Sequence, residues 1–385
     1  MLKLFKPRLS TKPFRKLKVH DEGKACVLDF GEQRVTIKTP RLGSDHRKHA
    51  DFALMLAGAV GMTVGERFEV EAPVTKQAAD NLNLYLFAWS VWKVKDYLPT
   101  EIVTPNIVPA DTRPRTGGVF TLSGGVDSTY GVIRAKRELG LKDAVLIAGA
   151  DYPSANHPGF RELYDLVKRT TDHLDLNLHV AETDARNVLV DWPSYHIALI
   201  SAILRLTGSG LAWAGYAADV HDWGELTYAP GGNMRGFAAI NGTHEFPFHY
   251  LGTEASRDMK LTGIAEAEPE LLKNISVCWK DTSTGGNCGK CGKCVRTRVS
   301  LYAAGLEQTA IFDDDIDLVA AIEATPLPKK SQARLQQVRL DYYSLLRMPE
   351  GDVKTALRKK MREIAEVDGL YVGPIIARRD RVSRP

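Results

Sequence analysis

The sequence predicts an α/β fold: a parallel, doubly wound sheet with a small α+β domain before it and helices after it. Three observations carry this expectation. From Gly117 onward, short apolar runs alternate with helical stretches, the signature of parallel βαβ units. Residues 24–104 instead combine strand-like alternation with two amphipathic helices, and the chain after Arg298 shows helical spacing alone. At 385 residues, 44% hydrophobic and 25% charged, the chain has the length of two or three domains and the composition of a packed globular protein.

Taken in order, residues 1–23 read as a basic N-terminal arm. The first 20 residues hold Lys3, Lys6, Arg8, Lys12, Arg15, Lys16 and Lys18 and no acid, while the whole chain is only +4, so the body is slightly acidic. A solvated tail and a phosphate-contacting arm both fit this segment, whereas a nucleic-acid-coating protein would be basic throughout. In the small α+β domain, 24–104, Ala25–Asp29, Arg34–Lys38 and Arg67–Glu71 read as strands, and Lys48–Met62 and Ala78–Val94 as helices. Residues 105–116, rich in Pro and Thr, read as a linker.

In 117–305 the strands are Val119–Leu122, Ala144–Ala148, Leu178–Ala181 and Leu211–Ala214. The intervening helices are Asp127–Leu139, Phe160–His173 and Tyr195–Leu206. Residues 306–385 form a helical extension, with helices at Ile316–Ala324, Gln332–Leu346 and Val353–Val367 and an arginine-rich tail, Arg378–Pro385. No apolar run is long enough to cross a bilayer, and no apolar core follows the basic start, so neither a membrane contact nor a secretory signal is expected. Four of the five cysteines cluster in residues 278–294, which suits a metal site in a reducing, cytoplasmic compartment; Cys26 sits in an apolar strand pattern and reads as core.

The most informative stretch is Ser123-Gly124-Gly125-Val126-Asp127-Ser128, between an apolar strand and a helix. Two glycines admit a ligand close to the backbone, and the helix that follows offers unpaired N–H groups and the positive end of its dipole. With the hydroxyls of Ser123, Ser128 and Thr129 this makes an anion cradle. Asp127 would place a carboxylate beside bound phosphates, where its use is to hold Mg²⁺. The Lys of a Walker A loop and the GxGxxG dinucleotide pattern are both missing.

This strand–loop–helix resembles the pyrophosphate loop of the PP-loop ATP pyrophosphatases, a superfamily with an adenine nucleotide alpha hydrolase-like fold. The resemblance implies that ATP is cleaved between the α- and β-phosphates, that an oxygen of the substrate is adenylated, and that a nucleophile then displaces AMP. A carboxylate needs this treatment because oxide is a poor leaving group, and adenylation supplies a better one.

The second motif is Cys278, Cys288, Cys291 and Cys294, spaced C-x₉-C-x₂-C-x₂-C. Four thiolates on Zn²⁺ make a closed, structural site, and Lys280, Lys290, Lys293, Arg296 and Arg298 would offset its charge. An iron–sulfur cluster is the rival, but the C-x₃-C-P continuation of ferredoxin-type runs is missing.

Together the two motifs make residues 117–305 similar to the QueC family of 7-cyano-7-deazaguanine synthases. Asp151-Tyr152 is similar to that family's Asp-Tyr after the second strand, and Arg257 and Lys260 stand where it carries a basic residue for the triphosphate. The resemblance implies an AMP-forming carbon–nitrogen ligase in which Asp127, Ser123 and Lys260 act on the reacting phosphate, while Ser123, Gly124, Gly125, Val126, Asp127, Ser128, Thr129, Asp151 and Arg257 bind ATP. The substrate would be a 7-deazaguanine-like or related acid, with ammonia or an amine as donor. Defence-associated QueC-like proteins extend the acceptors to a protein or nucleic acid, and a homodimer fits as well.

The chain departs from that family where Trp192-Pro193-Ser194-Tyr195-His196 and Val220-His221-Asp222-Trp223-Gly224-Glu225 replace its substrate-reading segments, and in both terminal regions. The alternatives are a tRNA-modifying PP-loop enzyme and a non-catalytic nucleotide-binding scaffold.

Weaker signals follow the strands. His221, Asp222, Glu225 and Asp219 could position an acceptor or form a polar loop. Asp184 and Arg186 suit surface pairing or substrate contact. His244-Glu245-Phe246-Pro247-Phe248-His249 reads as a structural loop, since Pro247 breaks the helix a zinc-protease motif requires. Trp213, Trp223 and Trp279 read as core or as base-stacking platforms. Asp313-Asp314-Asp315 is expected to start the following helix.

Overall fold

In a computed structural model of the full chain, the structure describes residues 12–92, 97–98, 100–189, 191–219, 221–222, 235–278, 286–329 and 331–369. Lys3, Lys6, Arg8, Trp223, Glu225, Trp279, Lys280 and the tail Arg378–Pro385 lie outside these residues.

The parallel half of the sheet begins at β8 (Gly118–Thr121), continues through α3 (Val126–Leu139) to β9 (Asp143–Ala148), and through α4 (Pro158–His173) to β10 (Asn177–Thr183). Helix α5 (Trp192–Thr207) then carries the chain to β11 (Trp213–Ala217), and α6 (Arg235–Asn241) precedes β12 (Phe248–Leu251). The strand order is β12-β11-β8-β9-β10, every neighbouring pair parallel. The chain therefore starts in the middle, builds outward on one side and returns to the other. The order reverses between β8 and β11, and the crevice outside the carboxyl ends of the strands at such a switch point is where open α/β sheets hold ligands.

The sheet does not stop there. β10 pairs antiparallel with β3 (Arg34–Lys38), through Thr183 opposite Ile37. β3 continues into β2 (Ala25–Asp29), β1 (Phe14–Asp21), β4 (Arg67–Val70) and β6 (Ile102–Val103). The α+β unit expected at 24–104 thus shares one ten-stranded sheet with the parallel unit among the described residues. It also shares a core, because α1 (Asp51–Val64) packs on α5. Helix α1 is apolar nearly all round, as a helix buried on every side must be, and Leu54, Leu56 and Val60 are fully enclosed.

Two expectations change. The described part of the basic arm is a strand: β1 buries Leu17 and pairs with β2 and β4. Three of its four cations meet neighbouring acids, Lys12 on Glu66 at 2.7 Å, Lys16 on Glu71, and Arg15 on Glu66 and Glu32 at 3.5 Å, while Lys18 is exposed. The linker at 105–116 is likewise anchored, since β7 (Ile107–Val108) pairs with β5 (Val74–Thr75), just before α2 (Lys76–Trp92), and Arg115 bonds Asp111 at 2.7 Å.

Beyond β12, α7 (Arg257–Ala267) and α8 (Gly292–Ala304) return to the parallel unit, and α9 (Leu318–Ala324), α10 (Ser331–Arg347) and α11 (Asp352–Asp368) pack on α8 around Val338, Leu345, Leu357 and Met361. Asp317 caps α9 by accepting from Ala320 N at 3.1 Å. Asp313-Asp314-Asp315 does not start that helix; Asp314 instead bonds Arg298 at 2.6 Å. Trp213 lies against Gly118 on the neighbouring strand and meets His249 edge-on, so it is packing and not a base platform.

One buried polar cluster joins the two halves. His49 reaches Asp51 through Nδ1 at 3.2 Å and Glu245 through Nε2 at 2.9 Å, and Asp51 also accepts from Thr75 N at 2.8 Å. Glu245 sits on a tight turn in which Thr243 pairs with Phe246, so the stretch from His244 to His249 is structural. The three side chains lie close enough to suggest a metal site, but both nitrogens of His49 face carboxylates, which makes the cluster a clamp. Burial opposes the charged imidazole; Asp51 and Glu245 outweigh it and raise the His49 pKa to about 8 from 6.5. A raised folded-state pKa stabilises the fold fully below about pH 6.5, and that share is lost as pH rises through about 8. The share is worth about 2 kcal/mol. Melting temperature in the wild type should therefore fall between pH 6.5 and 9 by more than in His49→Gln, and parallel curves for the two proteins would refute the clamp.

Candidate functional site

The glycine loop leaves β8 at the crevice. Gly124 adopts φ +76°, open to L side chains only at a cost, and a Cβ there would press on Leu163 at 3.0 Å. Gly124 O accepts from Ser276 N at 2.8 Å, which fastens the loop to the segment leading into the cysteines. Gly125 starts α3 with extended backbone (φ −80°, ψ 166°), and the N–H groups of Val126, Asp127 and Ser128 have no intrahelical acceptor. Around Gly125 there is room: the nearest atom to an added Cβ is Ser123 Oγ at 3.7 Å.

Of the three hydroxyls expected to line this loop, the structure presents one. Ser123 is exposed. The Ser128 hydroxyl turns back into the loop, accepting from Ser123 N at 3.2 Å and bonding Gly125 O at 3.1 Å. Thr129 is buried, with its N–H on Gly125 O at 2.9 Å, because its place on the first turn of α3 faces the core. Val126 is buried too and offers only its backbone.

Asp127 stands over the loop between two cations. Lys260 Nζ is 2.8 Å from one carboxylate oxygen and Arg257 2.7 Å from the other, and Lys260 also bonds Ala218 O at the end of β11. Lys260 is completely buried. Burial raises the Asp127 pKa, but Arg257 and Lys260 more than offset that and hold it below the ordinary carboxylate range. The sequence places the two cations 130 residues and more from Asp127; the sheet order brings them together.

Two further cations, expected only as counter-ions to the thiolates, lie in the field of carboxylates as well. Lys293 lies in the field of Asp151 and Asp127, which work against the burial that lowers its pKa, and in that of Arg257 and Arg296. Arg296 faces Asp341 of α10 at 3.5 Å. Arg296 and Arg298 thus have partners other than the thiolates. Fully buried, Arg298 ties Gly289 O at 3.2 Å to Gln308 and Asp314 and lies over the Phe312 ring. Helical phase was the available signal: Cys291 and Cys294 occupy one face of the first turn of α8, and Lys293 projects about 100° away. Asp151 is exposed past the end of β9.

The remaining candidates divide. His221 stacks on Tyr343 of α10, ring centroids 5.1 Å apart, and Asp222 lies 3.5 Å from Arg235. Asp219 keeps one buried carboxylate oxygen without a hydrogen bond among the described residues. Asp184 accepts from Thr36 N at 2.7 Å and Arg186 donates to Ala150 O at 2.7 Å, so both stitch backbone together. Cys26 is core, its thiol pushed up to about 12 chiefly by burial.

Beside the loop, Cys278, Cys288, Cys291 and Cys294 converge into a cluster that can hold a metal ion such as zinc. Their Sγ atoms are 3.5 Å (Cys291–Cys294) and 3.9 Å (Cys278–Cys291 and Cys288–Cys294) apart, close to the edge of about 3.8 Å of a tetrahedron with Zn–S bonds of about 2.3 Å. Cys291 caps α8, and its thiol is held far below its usual range by Cys294 Sγ and by the backbone N–H groups of Cys294 and Lys293, against burial. Asn287 adds order, accepting from Val277 N at 2.7 Å and donating to Ile275 O at 2.7 Å. Compared with known proteins, the chain matches no family model, no curated protein and no solved structure.

Metal analysis of purified protein should find about one zinc per chain. Cys294→Ser should lose it and melt lower, and a full-length protein carrying iron and a visible charge-transfer band would assign the cluster to iron and sulfur instead.

Proposed function

We propose that this chain is an ATP-dependent, AMP-forming carbon–nitrogen ligase of the PP-loop type, related in chemistry to QueC. One observation carries the reading: Arg257 and Lys260 meet Asp127 of the glycine loop at the crevice between β8 and β11, although they lie 130 residues and more away along the chain. A short loop with unpaired N–H groups, flanked by two buried cations, suits a polyphosphate better than any uncharged ligand.

The chemistry then follows from the residues. The N–H groups of Val126, Asp127 and Ser128 and the Ser123 hydroxyl hold the diphosphate that leaves. Arg257 and Lys260, which compensate Asp127 in the free protein, exchange it for phosphate oxygens when ATP arrives. The released carboxylate, with Asp151 nearby, is then available for Mg²⁺, which supplies charge neutralisation on the phosphates. Lys260 keeps its position on Ala218 O throughout. A carboxylate substrate in the crevice is thereby adenylated with release of pyrophosphate, and ammonia or an amine displaces AMP to leave an amide; where ammonia is the donor, a second ATP that adenylates the amide oxygen lets it leave as AMP and yields a nitrile. Zinc on the four cysteines stiffens the wall to which Ser276 ties the loop.

Two observations speak against tRNA thiolation. Three of the four described Lys and Arg residues of the basic arm, Lys12, Arg15 and Lys16, meet acids, and the one cysteine outside the cluster is buried core.

Incubation with ATP, Mg²⁺ and candidate acids should release AMP and pyrophosphate, and release of ADP and phosphate would sink the reading. Asp127→Ala should lower AMP release at least a hundredfold. The two glycines separate folding from binding. Gly124→Ala should cost about 1–2 kcal/mol of stability. Gly125→Ala should melt like the wild type yet lose ATP binding, as its methyl group fills the space a phosphate would take.

A further inference from the structure

Asp258 is completely buried on α7, between the two residues that hold Asp127, Arg257 and Lys260. A carboxylate shut away from water needs partners. It has Ser256 Oγ at 2.7 Å from its own helix, and from α10 it has Ser344 Oγ at 3.4 Å and Arg347 Nε at 2.5 Å. Successive helical residues are about 100° apart, so α7 turns its cations to the glycine loop and Asp258 to α10. Asp341, Ser344 and Arg347 recur every three residues and so share one face of α10. Asp341, itself buried, meets Arg296 of the zinc helix α8 at 3.5 Å, and Tyr343 stacks on His221 beyond β11. One helix of the C-terminal extension therefore touches each element that carries a cation of the candidate site.

We propose that α10 is a positioning element of the site: through Arg347–Asp258 and Asp341–Arg296 it fixes the rotation of α7 and α8 that keeps Arg257 and Lys260 on Asp127, and so sets the affinity for polyphosphate. The affinity part rests on the nucleotide reading above; the coupling of α10 to Lys260 does not.

The test uses the full chain with Arg347→Met, Arg347→Lys and the double variant Asp258→Asn/Arg347→Met. Lys260 is probed by acetic anhydride labelling read by mass spectrometry, with Lys136, bonded to Leu174 O at the far end of α3, as an internal control. ATP binding is measured by equilibrium dialysis. In Arg347→Met, Lys260 labelling should rise and ATP affinity fall about tenfold, with Lys136 unchanged. Arg347→Lys and the double variant, which keep or remove the charges in pairs, should recover both. Unchanged Lys260 labelling in a folded Arg347→Met protein overturns the proposal, and raised labelling with unaltered ATP affinity overturns its affinity part. Raised labelling alongside a wild type that binds no ATP would leave the coupling standing and remove the nucleotide reading. Should Arg347→Met fail to fold, Asp341→Asn removes one charge without changing shape and is held to the same two readouts.

Discussion

The candidate site depends on a single buried ion arrangement, Asp127 held between Arg257 and Lys260. A lysine with no exposed surface is costly to keep charged, and Lys260 is tolerable only because a carboxylate and a backbone carbonyl meet it. That arrangement imposes constraints outward. α3 must present Asp127 on its first turn, β11 must end where Ala218 O faces the crevice, and α7 must be rotated so that two cations point one way and Asp258 the other. The two cations and the carboxylate thus compensate one another in the folded protein.

The surroundings explain how such a cluster stays in place. The glycine loop is tied to the cysteine segment through Ser276, the cysteine helix carries Lys293 toward the same carboxylates, and α10 braces both cation-bearing helices. At the opposite end of the parallel unit, the sheet runs on into the N-terminal strands, and the His49 clamp fixes α1 against Arg205 and Glu245. The two terminal regions that depart from the QueC pattern are thus packed into the parallel unit rather than appended to it.

Much of this was legible in advance. The alternation of apolar runs and helices located β8 to β11 within a few residues, because strands buried on both faces must be apolar. β12 and α7 were not legible. β12 is four residues beside Pro247, and α7 carries Asp258 and Lys260 at buried positions where periodicity expects apolar side chains. The basic arm misled for a related reason: a cation-rich segment looks solvated until its acidic partners on neighbouring strands are known.

By itself the sequence determined the chemistry in reserve: a glycine turn at a strand's end, four thiols at metal spacing and an α/β scaffold, since these depend on local backbone freedom, short spacing and apolar periodicity. Only the tertiary structure decided which charges face which. It turned Ser128 and Thr129 inward, set Arg296 against Asp341, and joined Asp127 to cations 130 residues and more distant. Electrostatic pairing is set by distance in space, and strand order and helix rotation, not adjacency in the chain, fix that distance.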